Sequence, residues 1–315
     1  MSLRSLLRVR DLSGADLRAL LGRARAHKED PLGARDLLSG ASVPLYFEKP
    51  STRTRLSFET AVHRLGGLPI VVGPNDLQMG RGESVEDTAR VISRYARVFV
   101  ARTFSDDHLA RFARASTIPV INALTDGHHP SQAIADLFTI EQRFGSLDGL
   151  TVAYVGAGNN VAHSLMEACA LVGVHFRAAT PPHLAPDPEV VSAARALAEA
   201  SGASLDVGPD AEAAVRGADA VYTDTWLSMG DPEEERQARA VALTPYRVDG
   251  DLMALAKPHA IFMHCLPAHR GDEVTNEVAD SRASVIFDQA ENKLHTAMAI
   301  LEGLVRRTLE GGGSD

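Results

Sequence analysis

Val43-Pro44-Leu45-Tyr46-Phe47-Glu48-Lys49-Pro50-Ser51-Thr52-Arg53-Thr54-Arg55-Leu56-Ser57-Phe58 decides the fold class. Residues 43–47 form a short apolar run of the kind a buried strand uses, and Pro50 breaks it. An amphipathic stretch over 56–65 follows and stops at Gly66-Gly67, a helix end. Hydroxyl residues therefore stand where a strand hands over to a helix. Free backbone N–H groups and the positive end of the helix dipole face outward at such a corner. Arg53 and Arg55 add guanidinium forks, which bind oxyanions bidentately. The combination suits a phosphate dianion. An ordinary helix cap would explain Ser51 and Thr52 but not two arginines around Thr54.

The same alternation of strand and helix runs outward along the chain. Strand-like apolar runs stand at 43–47, 69–72, 98–101, 120–122, 151–155, 174–179, 220–223, 261–264 and 285–287, with helical patterns over 84–97, 131–144, 188–201 and 294–309. Several runs are continuous rather than alternating, as in parallel strands covered on both faces. The expectation is an α/β protein with two open, mainly parallel domains, divided near the turn at 145–149. Ser13 and Asp16 resemble a helix cap leading into Leu17, Leu20 and Leu21, so the N-terminal segment reads as the first helix of the mature protein rather than a targeting signal. The tail over 311–315, rich in glycine, is predicted to be disordered.

Composition bounds the function classes. A chain of 315 residues is long enough for two domains, and 45% apolar with 23% charged residues is ordinary for a globular protein. The net charge of -9 argues against a nucleic-acid partner recognised through the overall field, while leaving room for a local basic pocket. The two cysteines, Cys169 and Cys265, make no disulfide framework, which fits a cytoplasmic location. No apolar run has bilayer length, so no membrane association is expected.

Further clusters follow other strand ends. His129 and Gln132, in Asp126-Gly127-His128-His129-Pro130-Ser131-Gln132, open a helix after the run at 120–122, and Arg102 closes the run at 98–101. In an open parallel sheet these would share a crevice with 51–54. The two adjacent histidines lack a third ligand at a recognisable spacing, so no metal is expected. Cys265 ends a strand within Met263-His264-Cys265-Leu266-Pro267, and no neighbouring base marks it as a nucleophile. Asp224-Thr225-Trp226-Leu227-Ser228-Met229-Gly230 supplies a carboxylate and a hydroxyl. Gly156-Ala157-Gly158-Asn159-Asn160 resembles a dinucleotide fingerprint, but its third glycine is missing and no acidic residue ends the next strand. No cofactor is expected.

Together these residues resemble the aspartate/ornithine carbamoyltransferase family over nearly the whole chain. The stretch 47–58 is similar to its carbamoyl-phosphate motif, and His129-Pro130-Ser131-Gln132 to its His-Pro-x-Gln motif. Residues 224–230 and His264-Cys265-Leu266-Pro267 resemble the ornithine branch rather than the aspartate branch. The resemblance implies transfer of the carbamoyl group of carbamoyl phosphate to the δ-amine of L-ornithine, giving citrulline and phosphate in arginine metabolism. It implies a carbamoyl-phosphate domain at 1–147 joined by a returning C-terminal helix at about 292–311, and an ornithine domain at 148–291. Ser51, Thr52, Arg53, Thr54, Arg102, His129, Gln132, Cys265, Leu266 and Lys293 would then meet carbamoyl phosphate. Gln78 would come from a neighbouring subunit of a homotrimer with sites at subunit interfaces. Asn160, Asp224, Ser228 and Met229 would hold ornithine, and Arg53, Arg102, His129 and Cys265 would serve catalysis.

Three departures stand out: Lys293 where the family usually has Arg, Ala157 where an acidic residue is common, and Ser131 in place of a common Cys. A relative using putrescine or N-acetylornithine is the alternative. Putrescine lacks the α-carboxylate that Asn160, Asp224, Ser228 and Met229 should help to hold, and acetylation would neutralise the amine that Asp224 should pair with. A non-catalytic homologue and a nicotinamide-dependent dehydrogenase are the remaining readings.

Overall fold

The computed structural model describes residues 4–227 and 233–311. The chain divides into two compact units, Met1–Phe138 with Glu291–Asp315, and Thr139–Ala290. Each is an open, wholly parallel sheet flanked by helices.

The first sheet holds β1 (Ser42–Phe47), β2 (Leu68–Val72), β3 (Phe99–Arg102) and β4 (Val120–Leu124) in the order β2-β1-β3-β4. Its helices are α1 (Gly14–Glu29), α2 (Thr52–Arg64), α3 (Val85–Tyr95), α4 (Asp106–Ala115) and α5 (Pro130–Phe144), the last crossing into the second unit. The cap foreseen for α1 is present: Ser13 Oγ accepts from the Asp16 backbone N–H, and the Asp16 carboxylate accepts from that of Ser13. Phe99 stacks on Phe112 at 4.2 Å between centroids, locking α4 onto the sheet.

The second sheet holds β5 (Thr151–Val155), β6 (His175–Ala179), β7 (Leu205–Gly208), β8 (Ala220–Thr223) and β9 (Ile261–His264), ordered β7-β6-β5-β8-β9. Helices α6 (Asn160–Val172), α7 (Pro188–Ser201), α8 (Ala211–Val215), α9 (Glu233–Leu243), α10 (Gly250–Ala254) and α11 (Asn276–Ala279) complete it. Strands β5, β8 and β9 are buried at every position, which is why they read as unbroken apolar runs. Strand β7 escaped the sequence reading. Leu-Asp-Val-Gly is short, lies at the sheet edge and buries only Leu205 fully, so it carries little apolar signal.

One expected strand is a correction. Residues 285–287 are not a strand but lead into α12 (Ile286–Gly311), although Val285 N–H still donates to the Phe262 carbonyl. A three-residue apolar run does not distinguish a strand from the first turn of a helix. From Glu291 onward α12 belongs to the first unit, as the returning C-terminal helix was expected to do. Lys28 binds Glu291 and Asn292, and Glu302 takes hydrogen bonds from His27, Arg23 and Arg306. The expectation of disorder beyond Gly311 lies outside the described residues.

Each order reverses once. The chain leaves β1 toward β2, then returns to the other side of β1 with β3; it leaves β5 toward β6 and returns with β8. Such switch points open crevices beyond the carboxyl ends of their strands.

Candidate active site

At the first switch point, Ser51 adopts an extended N-cap conformation at α2 but makes no side-chain capping bond, and the first turn carries no acidic residue. That leaves hydroxyl and backbone donors at a positive helix end. Arg55 does not join them. Its guanidinium pairs with Glu59 one turn on, so Arg53 is the fork this corner keeps. Arg102 ends β3 directly opposite Phe47 of β1, which sets it beside the 48–51 loop.

The loops at this edge are sewn together. Thr103 donates to Glu48, Lys49 pairs with Asp126 and lies 4.0 Å above the Phe104 ring. Asp106 accepts from Thr125 Oγ1 at 2.8 Å and from the Gly127 N–H at 3.0 Å. A side chain at 127 would meet that carboxylate and push it aside, so glycine lets Asp106 keep both bonds. The result fixes the turn that presents His129.

His129 is buried, and burial together with Lys293 and Arg102 holds its pKa well below the ordinary imidazole value. It is a neutral ring at neutral pH, able to donate a ring N–H to a carbonyl oxygen. Ser131 Oγ lies 3.4 Å from its Nδ1. Gln132 is locked at both ends: its amide N–H donates to Asp136 at 2.7 Å, and its oxygen accepts from Lys293 Nζ at 2.7 Å. The Lys293 ammonium is thus tethered among Gln132, His129 and Arg102. Gln78 is exposed in a short 3-10 turn beyond β2 and has no hydrogen bond to these residues among those described.

The second switch point is built around a carboxylate. Asp224 follows β8 and is buried. Its Oδ2 accepts from Asn159 Nδ2 at 2.7 Å, and its Oδ1 from the Cys265 thiol at 3.0 Å. Asn159 is the residue the sequence reading passed over for its neighbour Asn160, which starts α6. The signal was available: an Asn just before an apolar helical run, here the first of an Asn pair, is a cap. Tyr154 donates to the Ala157 carbonyl at 2.9 Å, and its pKa is raised well above the ordinary tyrosine value by burial and by Asp224 and Cys265. Ala157 itself packs with Trp226 and Leu243, an apolar setting that suits alanine.

His264 is fully buried and braces the Cys265 turn. Its Nδ1 accepts from the Leu266 N–H at 2.8 Å, leaving the proton on Nε2 to face Glu273 at 3.1 Å. Leu266 takes φ 62°, a left-handed conformation that this bond helps to hold. Asp224, His264 and Cys265 bring one ligand-type atom each within 4.8 Å of one another. All three already carry hydrogen bonds, so the cluster is a network around the carboxylate. Ser228 and Met229 lie outside the described residues.

Two parallel-sheet units, one with a cationic oxyanion corner and one with a fixed carboxylate, match two family models. The model for the carbamoyl-P binding domain of aspartate/ornithine carbamoyltransferase matches residues 4–142, and that for its Asp/Orn binding domain matches 148–304. This chain belongs to that family. An ornithine carbamoyltransferase from Acidothermus cellulolyticus is 51% identical over 295 residues, covering 94% of each chain. The solved ornithine carbamoyltransferase of Pyrococcus furiosus is 43% identical with a TM-score of 0.92, over 99% of this chain and 98% of its own. An anabolic ornithine carbamoyltransferase from Campylobacter jejuni is 37% identical with a TM-score of 0.91, over 97% of this chain and 100% of its own.

Proposed function

We infer that this carbamoyltransferase moves the carbamoyl group of carbamoyl phosphate to the δ-amine of L-ornithine, giving citrulline and phosphate. The observation that carries the choice of acceptor is Asp224, a buried carboxylate fixed by Asn159 and Cys265 at the switch point of the second unit. A carboxylate there pairs with an α-ammonium group. N-acetylornithine has lost that charge, and putrescine keeps the ammonium but lacks the α-carboxylate, so neither is favoured.

On this reading Ser51, Thr52, Arg53, Thr54, Arg102, His129, Gln132 and Lys293 bind carbamoyl phosphate, and Asn160, Asp224, Ser228 and Met229 bind ornithine. Cys265 and Leu266 line the space at the reacting carbon. The functional domains are 1–147 with 292–311, and 148–291. The δ-amine lone pair attacks the carbamoyl carbon, whose oxygen gains charge and is stabilised by Arg102, Thr54 and neutral His129. The C–O bond to phosphate then breaks, and Arg53 with the α2 terminus stabilises the departing anion. His129, held neutral by burial, is a poor proton acceptor, so the amine binds uncharged and its proton leaves with phosphate. Holding the two substrates in register supplies much of the remaining acceleration.

The working assembly is a homotrimer in which Gln78 reaches a neighbouring site. Leu68 and Ile70 on the edge strand β2, with Val91 and Tyr95 on α3, are large apolar residues left exposed on the first unit, which supports burial against another copy. Cys169 and Cys265, thiols that share no disulfide, agree with a reducing cytoplasm, and the reaction belongs to arginine metabolism. No helix among the described residues is long and apolar enough to cross a membrane.

Citrulline formation from carbamoyl phosphate and ornithine, with putrescine, N-acetylornithine and aspartate in parallel, tests the reading. Turnover with ornithine alone is expected. Preference for N-acetylornithine would overturn the assignment of Asp224, and preference for putrescine would overturn the choice of acceptor.

A further inference from the structure

We propose that Asn159 is the positioning residue of the second unit's site: it aims the Asp224 carboxylate at the α-ammonium of the acceptor. The inference rests on ornithine being that acceptor. An Asn amide can be placed either way round, and here its surroundings decide. Oδ1 faces two backbone donors, the Val161 N–H at 3.0 Å and the Ala162 N–H at 3.1 Å. Nδ2 must therefore face the other way, where it meets Asp224 Oδ2 at 2.7 Å.

Asp224 needs such a hold. It lies past the end of β8, outside any helix or strand, and its second oxygen takes the Cys265 thiol. The α6 terminus anchors Asn159, and Asn159 fixes the carboxylate, much as an outer partner orients a ligating side chain. A plain helix cap would use Oδ1 and nothing else. Asp caps as well as Asn, so exchanging one for the other removes the Nδ2 donor while keeping the cap.

Asn159→Asp also sets two carboxylates face to face, and such a pair shares a proton at a pH above the ordinary carboxylate range. Among the described residues, the other ionisable groups around Asp224 are Tyr154 on β5, His264 at the end of β9 and Cys265. Arg239 on α9 and Glu273 act on Tyr154. All remain in the variant, so the pair is the one new titration. Asn159→Ser supplies a neutral cap too short to serve Asp224.

Kinetics of wild type, N159D and N159S would be followed across acidic to alkaline pH, with thermal melts alongside. The inhibition constant of 5-aminopentanoate, which is ornithine without its α-amine, would be measured against ornithine. We expect both variants to melt near wild type. N159D should lose roughly ten- to a hundredfold in kcat/KM for ornithine at alkaline pH. Its ratio to wild type should recover as pH falls, whereas the N159S loss should not depend on pH. Inhibition by 5-aminopentanoate should barely change. Variants that match wild type throughout, or that weaken both compounds equally, would reduce Asn159 to a cap. If N159D fails to fold, N159S and the inhibitor comparison decide alone. A wild-type enzyme inert toward ornithine would bring down the functional reading itself, an outcome seen before any variant is assayed.

Discussion

At the β1–β3 switch point the chain gathers Arg53, Arg102, Lys293 and a neutral imidazole, whereas at the β5–β8 switch point it gathers one carboxylate and uncharged donors. The backbone device is the same in both: parallel strands whose order reverses, with loops beyond their carboxyl ends. The side chains differ in sign. Sheet topology chooses the place, and the loop residues choose the charge of what is bound. The supports differ as well. Charged cross-links, Lys49 with Asp126 and Glu48 with Thr103, tie the cationic site together, while Asn159 and the Cys265 thiol hold the carboxylate through groups that carry no charge.

The sharpest way to break this comparison is to remove charge from the cationic side. Arg102→Ala is expected to lower kcat/KM for carbamoyl phosphate by roughly a hundred- to a thousandfold, as loss of an oxyanion donor does. Steady-state kinetics with saturating ornithine would show it, and a loss below tenfold would remove Arg102 from the reacting carbonyl. The fastening of α12, which carries Lys293, comes next. Hydrogen bonding from His27, reinforced by Arg306 and Arg23, pulls the Glu302 pKa from 4.5 down to about 2. That difference is worth about 3 kcal/mol of stability. Because the folded pKa is depressed, the contribution is present above 4.5 and lost as pH falls toward 2. Glu302→Gln should therefore weaken the protein to denaturant at neutral pH and lose that disadvantage in acid.

Asp224→Asn tests the other sign. We expect a drop of roughly ten- to a hundredfold in kcat/KM for ornithine, with the affinity for carbamoyl phosphate unchanged. Equal loss for both substrates would mean that the two half-sites are not separable. His129 gives a pH signature. The unfolded chain takes up its proton near the ordinary value of 6.5, while the folded chain resists to lower pH, so acidification below 6.5 favours unfolding. Replacement by Asn should flatten that limb of the stability profile, and the wild-type rate profile should show no imidazole inflection at 6.5. The smallest effect concerns Lys293→Arg, expected to tighten carbamoyl phosphate by only a few-fold, since charge is kept and only the planar fork is added.

Much of this was legible in the residues. Continuous apolar runs revealed β5, β8 and β9 because both their faces are buried, and Ser13 with Asp16 announced α1 because capping is local. The oxyanion corner at 51–54 was readable for the same reason: a strand end, a cap and an arginine lie within a few residues. Local signals failed where the structure depends on distance along the chain. Arg55 looks like a partner of Arg53 until a helical turn brings Glu59 beside it. Residues 285–287 look like a strand until α12 claims them, and β7 is too short and too exposed to announce itself.

The sequence by itself determined the class of fold, the two strand-end clusters and the sign of charge at each, since residue type and short spacing suffice for those. Tertiary structure alone decided that Lys293 meets Gln132 across 161 positions and that Asn159 and Cys265 meet at Asp224. The physical reason is that hydrogen bonds and burial act over a few ångströms of space, and the order of parallel strands sets which distant loops become neighbours.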